Sequence, residues 1–151
     1  MWVLGTMAVD SVVLGLASPI LTGAFGEGPQ VARFADVPGN LPLLLKLLPA
    51  TWLIAAFGEE FFFRGILMTG IAGVLGGSRA AWITAVLAQA VAFGLIHAYQ
   101  GPAQAISIGI GGAVYGGAFL LARRNLWPLI FAHGLNDTLG LILLYSGVIQ
   151  R

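Results

Sequence analysis

Five unbroken apolar stretches, each long enough to cross a lipid bilayer as a helix, constrain this chain more than any other feature. They cover residues 2–21, 43–71, 79–99, 103–122 and 126–148. The apolar residues are continuous rather than alternating, and the runs are too long for barrel strands. The predicted class is therefore all-α, a polytopic transmembrane helical bundle of about five spans. Composition agrees: 58 % of residues are hydrophobic and 9 % are charged, where soluble domains carry about 25 % charged residues. Mean hydropathy is +0.93. A net charge of +1 gives no reason to expect nucleic acid as a partner, whereas lipid is required. The absence of cysteine removes disulfides and thiolate metal ligands. The first stretch lacks a basic leader and is long for a signal peptide, so it reads as a retained span.

The chain reads as a single membrane domain over 1–151, with span 1 at 2–21, an interfacial loop at 26–40 and a catalytic-type helical region at 43–148. The loop contains Glu27, Pro29, Arg33, Asp36 and Pro38. The second apolar stretch is long for one span, and Pro49 is expected to divide it into an interfacial turn and a tilted helix. Gly76-Gly77-Ser78 and Gly101-Pro102 mark helix breaks. The fourth span carries small residues at Gly109, Gly112, Ala113, Gly116 and Gly117, a spacing that favours close helix packing, within the bundle rather than between copies. Arg79, Arg123 and Arg124 lie in compact loops on the side of the N-terminus, which orients that side to the cytoplasm.

Ionisable groups inside spans cost about 2.5 kcal/mol each or more on insertion scales, so they mark function. Glu59, Glu60, Arg64, His97, His133 and Asp137 all lie in apolar stretches, and both histidines of the chain are among them. Glu60 and Arg64 are i,i+4 on a helix, acid first, and are expected to pair. Glu59 points about 100° away, leaving its carboxylate for a cavity, where it can act as a general base towards water. Phe93 and His97 share a helix face, as do His133 and Asp137, with Asn136 able to join them. Asp10 in the first span reads equally as a helix-start residue and as part of a site. One carboxylate and two histidines on three spans can activate water directly, or ligate a metal that does so.

These residues are similar to the three motifs of the CPBP family of intramembrane proteases, which includes type II CAAX prenyl endopeptidases and bacterial proteins of bacteriocin processing and self-immunity. Glu59, Glu60 and Arg64 match E-E-x-x-x-R, Phe93 and His97 match F-x-x-x-H, and His133 and Asp137 match H-x-x-x-N/D. The resemblance covers residues 45–147. It implies peptide-bond hydrolysis in a membrane cavity, with Glu59 and His97 activating water and His133 and Asp137 stabilising the oxyanion. Glu60, Arg64, Phe93 and Asn136 would support them. It also implies a peptide or prenylated protein as substrate and a bacterial-type cytoplasmic membrane. A glutamate mechanism requires no cofactor, and a metal mechanism would place zinc on Glu59, His97 and His133. An aspartate repels an oxyanion, so Asp137 would orient His133, or Asn136 would donate instead, or a metal would bind. Family members often carry more spans before the first motif, so a minimal member, a fragment or a homo-oligomer that completes the cavity all fit. The rival classes are a catalytically silent immunity or scaffold protein of the same fold and a proton-coupled carrier. Linear counting separates His97 from His133 by about 10 Å in depth, so the 97–101 segment must sit inside the protein if the two are to meet.

Overall fold

In a computed structural model the described residues are 1–26 and 34–148. Glu27, Pro29 and Arg33 of the expected interfacial loop lie outside them. Five helices are long and apolar enough to span a membrane: α1 (Trp2–Phe25), α2 (Leu41–Val74), α3 (Arg79–Ile96), α4 (Pro102–Leu121) and α5 (Trp127–Tyr145). No strand occurs among the described residues. Helices satisfy every backbone donor and acceptor internally, which is what a lipid environment demands. Long apolar side chains such as Leu16, Ile20, Leu53, Ile54 and Val91 are exposed on the outer surface, as expected of faces meant for lipid.

Helix ends follow local chemistry. Asn40 caps α2 by accepting from the Leu43 amide at 3.1 Å, and Ser78 caps α3 by accepting from Ala81 at 3.2 Å. Pro102 opens α4 at a position where a missing N–H costs nothing. The turn from α4 to α5 holds Arg123 and Arg124 in the left-handed region, with φ of 56° and 63°. The Arg124 guanidinium lies 5.3 Å from the centre of the Trp82 ring on α3.

One expectation needs correction. Pro49 does not divide the second stretch: α2 runs through it. Relief comes just downstream, where the backbone widens to π-helical hydrogen bonding over Thr51–Glu59 and again over Phe61–Met68. The described part of the 26–40 loop is mostly exposed but is anchored to the bundle: Val37 is fully buried, Gly39 donates to the Tyr145 carbonyl at 2.9 Å, and Phe34 lines the central cavity. The first helix also continues one turn beyond residue 21, to Phe25.

The small residues of α4 are used inside the bundle. A Cβ on Gly94 of α3 would stand 2.6 Å from the Ala105 carbonyl oxygen and 3.2 Å from Gly109 Cα. Gly112 meets Phe93 and Ala90, and Gly116 meets Gln89 and Val86. Glycine at these positions lets α3 and α4 approach backbone to backbone. Gly117, in contrast, has nothing within 4 Å of its Cβ direction. Gly94→Ala should therefore cost about 1–3 kcal/mol through overpacking, read as a lowered thermal midpoint in detergent micelles. Gly117→Ala should leave that midpoint unchanged.

Candidate active site

The three ionisable motifs converge on one cavity of about 320 Å³, lined by residues from all five helices. Glu59, Glu60 and Arg64 enter from α2, Phe93 and His97 from the end of α3, and Tyr115 from α4. His133, Asn136 and Asp137 enter from α5, and Asp10 from α1.

At its base lies a buried ionic cluster. Glu60 and Arg64 are almost completely buried and pair at 3.0 Å, as their i,i+4 spacing predicts. The same Glu60 oxygen accepts from His133 Nδ1 at 2.9 Å, so one carboxylate joins α2 to α5. Arg64 Nη2 donates to the Gly112 carbonyl at 3.1 Å, which brings in α4. Gln89 donates to that same carbonyl at 2.8 Å, which brings in α3. The Arg64 guanidinium also faces the rings of Phe93 at 4.8 Å and Tyr115 at 5.5 Å, both cation–π distances.

Above this cluster is the open part of the site. Because Nδ1 of His133 is given to Glu60, its Nε2 faces the cavity, 3.6 Å from Asp137 Oδ2 and 3.9 Å from Glu59 Oε2. Glu59 and Glu60 thus both address His133, from different sides of the ring. Glu59 closes the first π-helical segment of α2, and Glu60 stands between the two segments. Glu59 keeps partial exposure, with 25 % of its side chain open against 1 % for Glu60.

His97 terminates α3. Its Nδ1 lies 2.8 Å from the Phe93 carbonyl. A carbonyl only accepts, so Nδ1 carries the proton and Nε2 is the nitrogen left for the cavity. The Phe93 ring packs edge-on against the imidazole at 4.9 Å and against Phe63 at 4.8 Å. The F-x-x-x-H spacing thus fixes both the tautomer and the tilt of His97. The backbone between α3 and α4 is a single 3₁₀ turn, Ala98–Gln100, and Gln100 lines the cavity with His97. The segment is folded against the bundle, so His97 shares a cavity with His133 despite their separation by linear counting.

Sequence reading did not single out Tyr115 or Gln89. Tyr115 is buried, packs against His133 at 5.8 Å and accepts from Asn136 Nδ2 at 3.2 Å. Gln89 precedes Phe93 and His97 at i,i+4,i+8, a face visible in the sequence. Asp10 is not a helix-start residue: it lies in the third turn of α1, buried, within the cavity wall. Among the described residues no three histidine, aspartate or glutamate side chains are arranged to hold a metal ion. Glu59, His97 and His133 share the cavity.

Trp52 fixes the register of α2 on α5. Its indole donates to Thr138 at 3.1 Å, and its ring lies so close over Gly134 that a Cβ there would stand 2.7 Å away. Gly134 separates the clamp from His133 by one residue. Loss of the buried counter-charge should be costly: Glu60→Gln leaves Arg64 uncompensated and should destabilise the protein by about 3–5 kcal/mol. Glu59→Gln, at a more open position, should leave the thermal midpoint within a few degrees. Thermal unfolding of the two variants side by side checks the contrast.

A family model described as type II CAAX prenyl endopeptidase Rce1-like matches residues 41–139. No curated protein and no solved structure matches the chain.

Proposed function

Since the chain belongs to the type II CAAX prenyl endopeptidase Rce1-like family, we propose that its cavity is the active site of an intramembrane endopeptidase. The substrate is a membrane-associated protein or peptide, and Glu59 with His97 activates the attacking water. The observation that carries this reading is the position of Glu59: a partly open carboxylate, in one cavity with two imidazoles whose Nδ1 atoms are both already engaged.

Glu59 takes a proton from a water that also hydrogen-bonds His97 Nε2. The hydroxide oxygen attacks the scissile carbonyl carbon, and the carbonyl π electrons move onto its oxygen. Protonated on both nitrogens, His133 keeps Nδ1–H on Glu60 and offers Nε2–H to that charge. Asp137, 3.6 Å from this nitrogen, orients the ring rather than meeting the oxyanion. Asn136 has one amide N–H on Tyr115, and its other N–H remains a second donor. Collapse of the tetrahedral adduct breaks the C–N bond, and the proton held by Glu59 passes to the leaving amine. Glu60 and Arg64 neutralise each other and hold His133 in place.

General-base catalysis contributes about 10²–10⁴-fold. Glu59→Gln in proteoliposomes should therefore lower the cleavage rate of a membrane-associated reporter at least about a hundredfold. Undiminished cleavage in this variant overturns the mechanism. On the glutamate route, chelator treatment should leave the rate unchanged. Loss of activity on chelation, restored by zinc, would replace that route with a metal-dependent one.

A further inference from the structure

Asp10 is a buried carboxylate that the reaction just described does not use. It lies on α1, outside the 41–139 region matched by the family model. It is 9 % exposed, lines the cavity, and rests against Gly111, where a Cβ would stand 3.1 Å from its Oδ1. That Oδ1 is buried without a hydrogen-bond partner. A buried carboxylate oxygen left unpaired costs several kcal/mol, more in a span than in a soluble protein. No donor of the cavity wall is bonded to it. Arg64 gives Nη1 to Glu60 and Nη2 to Gly112, His133 gives Nδ1 to Glu60, and Asn136 donates to Tyr115. Arg64 Nε is also buried and unbonded, so it makes no hydrogen bond to Asp10.

The charge of the cavity points the same way. Among the described residues its lining holds four carboxylates, Asp10, Glu59, Glu60 and Asp137, against one guanidinium, Arg64. With every carboxylate ionised, these groups sum to a formal −3 with both imidazoles neutral and −1 with both protonated. A low-dielectric cleft lined by one sign of charge concentrates ligands of the other. A neutral backbone amide beside Asp10 would leave the excess charge standing, whereas a cationic side chain offsets it.

We propose that the cavity takes a peptide bearing a lysine or arginine side chain beside the scissile bond, and that Asp10 is the binding residue for its cation. This deepens the endopeptidase reading and rests on it. The test measures binding, so that it stands apart from turnover. The full chain carrying Glu59→Gln is placed in nanodiscs. Fluorescence anisotropy is read with an apolar peptide containing one central lysine and with its counterpart containing norleucine.

The lysine peptide should bind about tenfold more tightly, equivalent to about 1.4 kcal/mol. Adding Asp10→Asn should bring the two affinities within about twofold, and Asp10→Glu should keep the preference. Equal affinity for the two peptides, a preference that survives Asp10→Asn, or no binding of the lysine peptide overturns the proposal. The two readings fail separately. A wild-type protein that cleaves both peptides equally keeps the endopeptidase reading and loses this one. A protein that binds the lysine peptide through Asp10 but cleaves neither keeps the cation site and loses the endopeptidase reading.

Discussion

The structure depends on one buried ion pair. Arg64 and Glu60 sit almost wholly out of contact with solvent inside a helical bundle, where an unpaired charge would be too costly to keep. Their mutual neutralisation is only the start, because each spends its remaining capacity on another helix. Glu60 takes a second hydrogen bond from His133 on α5, and Arg64 gives one to the Gly112 carbonyl on α4. Gln89 on α3 converges on that same carbonyl. Lipid offers little hydrophobic drive for helices to associate, so polar contacts and close packing must do it. Here the polar contacts that hold four helices together also orient the site.

The wide π turns of α2 serve the same end. Where the two wide segments meet, Glu59 and Glu60 both face His133, one buried against Nδ1 and the other partly open towards Nε2. Trp52 lies in this stretch and locks onto Thr138 and Gly134, so the register of α2 against α5 is fixed within one turn of the imidazole. Irregular backbone is tolerated at depth only where protein surrounds it, and α5 supplies that surrounding here.

Much of this was legible in the chain because ionisable residues stand out in apolar spans. The five helices, the Glu60–Arg64 pair and the shared face of His133 and Asp137 all follow from apolar run length and i,i+4 spacing. The role of Gly94, Gly112 and Gly116 follows from the distribution of small residues. The wide turns did not show, because α2 carries apolar side chains on most sides and its periodicity cannot distinguish i,i+4 from i,i+5 bonding. The burial of Val37 was hidden in a polar context, and Tyr115 was masked by the glycines around it. The position of His97 was ambiguous for a topological reason: counting along straight spans puts it at a membrane edge, while a 3₁₀ turn and the Phe93 carbonyl fold it back into the protein.

The two histidines show how one residue type is divided between two tasks. Each gives its Nδ1–H to an acceptor and turns Nε2 to the cavity. The acceptors differ. His97 is held by a backbone carbonyl four residues earlier on its own helix, so its placement depends on α3 alone. His133 is held by a carboxylate from another helix that is itself tied to Arg64. A shift of α2 against α5 would therefore strain the Glu60–His133 bond and leave His97 on its own carbonyl. Glu59, on the same helix as Glu60, would travel with α2. The position of Glu59 relative to His97 is thus set by how α2 packs on α3, through Arg64 over Phe93 and Phe63 against the same ring. Phe93 touches Arg64, Phe63 and His97 at once, which makes the aromatic residue of the second motif the joint between the ionic base of the site and its water-facing edge.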